Sequence, residues 1–232
     1  MKKIGLIGGV TWTSTQDYYR LINQMSNNLL QGHSTAELII YSVDFEEVLA
    51  LMQQGKWAAI TALFIEKAAA LKNAGADFFA IASNTLSKVG QEVSEGAGLP
   101  LVGMVESVAR VIGEKGFKKV GFLGTSFAMN DPFYREGLKR FGIETVMPEA
   151  DEKAFVHHVI MDELAYDVLN PESRRKMLAV MNRMKREQAV EAFVLGCTEI
   201  PMLIKQSDTD IPVLDTTEIH ASAIVKFAWD AF

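Results

Sequence analysis

Cysteine is nearly missing from this chain: Cys197 is the only one in 232 residues, so no internal disulfide can form. With no secretion signal in the sequence, a reducing cytoplasm is the expected setting. Long apolar runs are missing too. None approaches the roughly 18–20 residues of a membrane span, and no membrane partner is expected. Positive charge is in deficit, with 23 Lys and Arg against 29 Asp and Glu and a net charge of −6. That balance argues against nucleic acid, whose phosphates require clustered cations. The densest basic run, Arg174-Arg175-Lys176 to Lys185-Arg186, has Met177, Val180 and Met184 on the opposite helical face and reads as a solvated surface. Proline and glycine, 6 and 17 residues, are too few for disorder in a chain that is 49% hydrophobic. No His/Cys cluster has metal-ligand spacing, and Gly8-Gly9-Val10 lacks the full dinucleotide fingerprint, so no metal and no cofactor is expected.

What the chain does contain is a repeat. Lys2-Lys3-Ile4-Gly5-Leu6-Ile7-Gly8-Gly9 overlays Lys118-Lys119-Val120-Gly121-Phe122-Leu123-Gly124-Thr125 at an offset of 116. Asp77-Phe78-Phe79-Ala80-Ile81-Ala82-Ser83-Asn84-Thr85 overlays Glu191 to Glu199 at 114. Two matches in the same order, at offsets two residues apart, indicate a duplicated unit of about 110 residues rather than a chance likeness of buried strands.

Short apolar runs alternate with helical patterns along the whole length. The strand candidates are 3–8, 36–43, 78–83, 100–103, 119–124, 143–147, 192–196 and 212–214. Between Gly55 and Gly75, Trp57, Ile60, Leu63, Phe64, Ala68 and Leu71 recur at helical spacing, and Trp57 is read as core; the counterpart helix runs from about Pro171 to Gln188. This alternation predicts an α/β fold of two pseudo-symmetric domains, each a parallel sheet flanked by helices. Such sheets bind small molecules beyond the carboxyl ends of their strands. Four strand exits carry short polar residues: Gly8-Gly9-Val10-Thr11, Ser83-Asn84-Thr85, Gly124-Thr125-Ser126 and Cys197-Thr198-Glu199. Asn84, Thr85, Thr125 and Thr198 suit a carboxylate; each taken alone reads first as a helix N-cap, a role compatible with a carboxylate site at the same helix start. The duplication sets Ser83 and Cys197 in mirrored positions, on opposite sides of whatever binds there.

The residues Ile7-Gly8-Gly9, Tyr18-Tyr19-Arg20, Ser42-Val43-Asp44-Phe45, Asn84-Thr85, Leu123-Gly124-Thr125, Phe133-Tyr134, Leu195-Gly196-Cys197-Thr198-Glu199-Ile200-Pro201 and Leu214-Asp215-Thr216-Thr217 with His220 carry a resemblance. In that order they resemble the PLP-independent aspartate/glutamate racemase superfamily, and most of all its aspartate racemase branch. The resemblance implies an active site in an interdomain cleft, with domains at 1–98 plus 210–232 and at 99–209. It implies frequent assembly as a homodimer, and a homodimer is expected here. It also implies two facing cysteines, one removing the α-proton of a small amino acid and the other returning a proton to the opposite face, with neither PLP nor metal. By the same resemblance the second cysteine serves the L-enantiomer, and His220 is structural.

The departures from that pattern are Ser83 in place of the first cysteine, Ser87 in place of a histidine, and Ala128 in place of a threonine. Cys197, ahead of a helix start, is expected as a thiolate at neutral pH, since a thiol of pKa about 8.5 is lowered there. A serine hydroxyl needs an adjacent base, and none neighbours Ser83 in sequence. The expected catalytic residues are therefore Cys197 and Ser83, with Gly9, Val10, Thr11, Asn84, Thr85, Thr125, Thr198 and Glu199 contacting an amino acid or dicarboxylate. Glu199 is read either as tuning the thiol or contacting a substrate ammonium, or as a carboxylate stabilising a helix start. Three functions stay open: a slow or direction-biased racemase of acidic amino acids, a single-cysteine decarboxylase of the same superfamily, and a non-catalytic acidic amino-acid-binding protein. His157 and His158 cannot share one helix face, so at least one is expected in solvent.

Overall fold

A computed structural model describes residues 1–229; the last three residues of the expected first domain, 230–232, lie outside the described residues. The chain runs β1 (Ile4–Gly8), α1 (Trp12–Leu30), β2 (Leu38–Ser42), α2 (Phe45–Gln53), α3 (Trp57–Asn73), β3 (Phe78–Ile81) and α4 (Gly90–Ala97). It continues with α5 (Met104–Glu114), β4 (Lys119–Leu123), α6 (Ser126–Asn130), α7 (Phe133–Lys139), β5 (Glu144–Val146), α8 (Ala150–His158) and α9 (Pro171–Gln188). It closes with β6 (Ala192–Leu195), α10 (Ile200–Leu203), β7 (Val213–Asp215) and α11 (Thr216–Trp229). Two compact units result, one from Met1–Met104 together with Thr217 onward, the other from Val105–Thr216.

Both sheets are parallel, in the orders β2-β1-β3 and β5-β4-β6-β7. The duplication is visible in their register. Ile4 pairs with Phe78 and Ile7 with Ile81; Val120 pairs with Ala192 and Leu123 with Leu195, the same partners displaced by 116 and 114. Each central strand is anchored by the carboxylate that opens its neighbour. The Asp77 side chain accepts the Lys3 amide at 2.6 Å, and the Glu191 side chain accepts the Lys118 and Lys119 amides at 2.6 and 2.7 Å. The Lys-Lys lead-in thus recurs where a carboxylate binds the backbone.

The repeat extends one step further. Phe79 donates to Pro100 and Phe193 to Pro212, both at 2.8 Å, so the segment at Leu101 is the counterpart of β7. Leu101 forms only a single bridge to Phe79, where 100–103 was expected as a strand. The chain leaves the first unit after Met104 and re-enters it at Thr217. Leu101 and Val213–Asp215 each still pair with the sheet that precedes them.

Strands β1, β3 and β6 are buried throughout, as parallel strands under helices must be. In α3 the sheet-facing stripe is Ile60, Phe64, Ala68 and Leu71, each of the large side chains stabilising the unit by about 1.5–3 kcal/mol. Trp57, expected in the core, is half-buried with the Lys88 ammonium 4.3 Å from its ring centroid, because the buried stripe begins one turn later. In α9, Met177, Val180 and Met184 are buried, while Arg174, Arg175, Lys185 and Arg186 pair with Asp208, Glu172, Asp210 and Glu187 on the surface. Among the described residues no helix is long and apolar enough to cross a membrane.

Candidate active site

In the first unit, the exit of β1 is built by backbone geometry. Gly9 has φ +94°, and a Cβ there would lie 2.2 Å from the Val43 carbonyl oxygen, so only glycine fits against the end of β2. The Gly9 amide donates to Thr15 Oγ1 at 2.7 Å, and Thr15 Oγ1 donates to the Thr11 carbonyl at 3.0 Å. Thr11 caps α1 by accepting the Ser14 amide at 3.3 Å, with Val10 half-exposed between glycine and cap. At the exit of β3, Ser83 is 7% exposed and is followed by buried Asn84 and Thr85. Ser83 Oγ accepts the Leu86 amide at 3.4 Å, and the Ser83 carbonyl accepts Ser87 Oγ at 2.8 Å. Among the described residues no ionisable side chain hydrogen-bonds to Ser83, and Ser87, standing where a histidine was expected from the resemblance, bonds backbone. Ser14 Oγ donates to the Ala82 carbonyl at 3.3 Å and ties α1 to this exit.

Deeper in the same unit, His220 Nδ1 accepts the Tyr18 hydroxyl at 2.8 Å, and its Nε2 donates to the Val102 carbonyl at 2.8 Å. Burial lowers its pKa to about 4, so the ring is neutral and clamps α1, α11 and the segment after α4.

In the second unit, Gly196 and Gly124 flank the Phe122 ring. A Cβ on Gly196 would lie 2.1 Å from Phe122 Cζ, which is why the residue before the cysteine has no side chain. Thr216 Oγ1 donates to the Leu195 carbonyl at 2.8 Å and fixes the same strand end. Cys197 is partly exposed, and its Sγ donates to Glu199 Oε2 at 2.9 Å; Thr198 Oγ1 donates to the same oxygen at 2.8 Å. Glu199 is 5% exposed and stands at the N-cap position of α10, yet its side chain makes no cap and turns to the thiol instead.

This geometry corrects the expectation of a thiolate. Burial first, and then the Glu199 carboxylate, push the Cys197 thiol well above its usual range, outweighing the backbone amides of Thr198 and Glu199. The helix expected to stabilise a thiolate is one turn long, too short for much dipole. At neutral pH Cys197 is therefore a protonated thiol hydrogen-bonded to a carboxylate.

At the exit of β4, Thr125 opens α6 and its carbonyl accepts the Ala128 and Met129 amides at 3.0 and 2.9 Å. Its side chain makes no cap, so the candidate cap Thr125 is not one. Beside it, His157 Nδ1 accepts the Ser126 amide at 3.2 Å, which leaves the proton on Nε2, and burial lowers its pKa. His157 is the site-adjacent residue that sequence reasoning missed. Its only signal was its pairing with His158, which is the solvated one, 2.7 Å from Asp162.

Comparison with known proteins bears on the whole length. The sequence model of one family, Asp/Glu/hydantoin racemase, matches residues 7–224. The chain is similar to the crystal structure of a Yersinia pestis protein provisionally described as an Asp/Glu racemase, at 38% identity and a TM-score of 0.93, over 98% of this chain and 99% of that one. It is similar to an aspartate racemase homologue from Pyrococcus horikoshii at 35% identity and a TM-score of 0.87, again over 98% and 99%. Among curated proteins, a glutamate racemase of Koribacter versatilis is 26% identical over 170 residues; the match takes in 67% of this chain and 54% of that protein, about half its length.

Proposed function

The chain belongs to the Asp/Glu/hydantoin racemase family, and from that premise we propose a cofactor-independent racemase of acidic amino acids that works strongly in one direction. The observation that carries this reading is the Cys197 Sγ to Glu199 Oε2 hydrogen bond of 2.9 Å. The thiol passes its proton to the Glu199 carboxylate as the substrate's α-hydrogen comes within reach. The resulting thiolate takes that hydrogen from the L-enantiomer, leaving a carbanion and a restored S–H. Ser83 donates its hydroxyl proton to the opposite face of the same carbon and is reprotonated from water, and the hydroxide left takes the proton held by Glu199, which restores the carboxylate. Asn84, Thr85, Thr125 and Thr198, with the Gly9-Val10-Thr11 turn, hold the substrate's carboxylates and ammonium.

The return direction requires Ser83 to act as a base, and its hydroxyl oxygen accepts only the Leu86 backbone amide among the described residues, while Ser87 bonds the Ser83 carbonyl. General acid–base groups contribute about 10²–10⁴ in rate, so that direction is slower by a factor of this order. Incubation in deuterated water tests the reading: L-aspartate or L-glutamate exchanges its α-proton, and the D-enantiomer exchanges far more slowly. Equal exchange from both, or exchange from neither, overturns it.

A second reading is favoured by the protonated state of Cys197. A single S–H suffices to protonate a carbanion left by decarboxylation, so release of carbon dioxide from a malonate-type diacid, without α-proton exchange of amino acids, would replace racemisation. Thermal stabilisation by aspartate or glutamate with neither reaction would indicate a binding protein.

A further inference from the structure

The four histidines are placed very differently. His33 and His158 are exposed, and His220 is buried with both ring nitrogens hydrogen-bonded. His157 is half-buried, and only one of its nitrogens is engaged. Its Nδ1 accepts the Ser126 amide at 3.2 Å, and the Phe127 ring meets it edge-on with centroids 6.0 Å apart. A backbone amide that fixes one ring nitrogen as acceptor fixes the other as donor. Nε2 therefore bears the proton, and it has no partner among the described residues. The helix beneath the ring is held as well: Arg183 of α9 donates to Glu152 at 2.7 Å and to Glu149 at 3.3 Å, where α8 begins. Asp162, whose charge reaches the ring, is hydrogen-bonded to His158.

The ring stands at the carboxyl end of the second sheet, where such sheets bind small molecules. Leu123 of β4 pairs with Leu195 of β6, and the Gly196 amide donates to the Leu123 carbonyl at 2.6 Å. Thr125 and Cys197, each two residues past the paired leucines, thus leave the sheet side by side. α8 follows β5, which borders β4 on the side away from β6. Along this edge the order is therefore His157, then Thr125 and Ser126, then Cys197 with Glu199. Strands lie about 4.8 Å apart, so two spacings set ring and thiol on the order of 10 Å from each other. An acidic amino acid spans that interval. Its α-carbon approaches Sγ to about 3–3.5 Å. Its side chain adds two or three carbon–carbon bonds of about 1.5 Å, and a hydrogen bond to an N–H adds about 2.9 Å.

We propose, building on the racemase reading above, that His157 is a specificity-determining residue: its Nε2–H receives the side-chain carboxylate of the amino acid whose α-carbon faces Cys197. The Glu199 carboxylate beside the thiol repels a second anion at that end and directs the substrate's carboxylate to the other. Nε2 cannot become an acceptor without Nδ1 giving up the Ser126 amide, so the site refuses an ammonium there. A hydrogen bond to a charged oxygen is roughly twice as strong as one to a neutral oxygen, which favours an acid over its amide. An aliphatic side chain leaves the N–H unmet.

Steady-state α-proton exchange in deuterated water, with L-aspartate and L-glutamate against L-alanine, tests this role in two variants. In His157→Asn the amide oxygen can replace Nδ1 at Ser126, and only the Nε2–H is lost. The expected result is a KM for both acidic substrates raised about tenfold or more, with kcat within about threefold and exchange of alanine unchanged. His157→Gln, whose amide N–H can reach the Nε2 position, recovers part of that loss. An unchanged KM in His157→Asn, a fall in kcat alone, or an equal loss with alanine overturns the proposal and leaves racemisation standing. If the natural chain exchanges no substrate, the racemase reading fails, and calorimetry decides for His157. Binding of L-aspartate weakened about tenfold in folded His157→Asn then sustains the carboxylate site, whereas equal affinity or no binding overturns it. If the variants do not fold, the His157 imidazole resonances of the natural chain decide: they shift on titration with L-aspartate and not with L-alanine, and unmoved resonances overturn the proposal.

Discussion

The two halves share one backbone and differ in what stands at equivalent points of it. Ser83 and Cys197 follow strands in identical register, yet the serine bonds a backbone amide while the cysteine bonds a carboxylate. Leu6 and Ala82 in the first half correspond to Phe122 and Gly196 in the second, a larger ring accommodated by a smaller neighbour. Tyr18 and Tyr134 correspond as well, and both are buried. Tyr18 has His220 as partner, whereas the Tyr134 hydroxyl has no hydrogen-bond partner among the described residues, and Val108 takes the place of the histidine in the corresponding helix. Duplication therefore transmitted packing and register, while the polar groups that decide chemistry diverged one side chain at a time.

The largest effect comes from erasing the difference between the exits. Cys197→Ser lowers α-proton exchange from L-aspartate or L-glutamate by about 10²–10⁴, followed by NMR in deuterated water. Retention of exchange would place the base elsewhere. Ser83→Cys erases the difference in the other sense and raises exchange from the D-enantiomer, by up to about 10². No gain there would separate the two exits functionally.

Packing differences are smaller. Gly196→Ala forces a methyl against Phe122 and destabilises by about 1–3 kcal/mol in urea unfolding, and adding Phe122→Leu, which restores the first half's pair, recovers part of the loss. Additive losses would show that the pair does not compensate. The buried histidine gives the first half a pH dependence. With a folded pKa of about 4 against roughly 6.5 unfolded, the unfolded chain binds a proton that the folded one refuses. Stability is therefore full above about pH 6.5 and falls toward pH 4 by at most about 1.4 kcal/mol per pH unit. Denaturant titrations from pH 7 to 4.5 check this, and His220→Gln flattens the slope. The smallest effects are those of single hydroxyls. Tyr18→Phe costs about 1 kcal/mol by orphaning His220 Nδ1, whereas Tyr134→Phe is neutral or slightly stabilising because it removes an unpaired buried group.

Much of this was legible in the chain. The offsets of 116 and 114 predicted the shared register, and apolar alternation placed each strand to within a few residues. The strand at 100–103 shrank to one bridge because Leu101 alone reaches Phe79. Thr11, which caps α1, was not among the residues read as caps. Thr125 was indistinguishable from one, since a hydroxyl before a helix looks the same whether it caps or not. His157 was hidden because its partner, the Ser126 amide, lies 31 residues away.

By itself the sequence determined the repeat, the four polar strand exits, and the presence of one thiol where its relatives by resemblance use two. Those are properties of residue order and periodicity. Whether that thiol is charged was decided by tertiary structure alone. A protonation state depends on solvent access and on the nearest charge, and here partial burial and the Glu199 carboxylate hold the proton on Cys197 where local sequence pointed to its release.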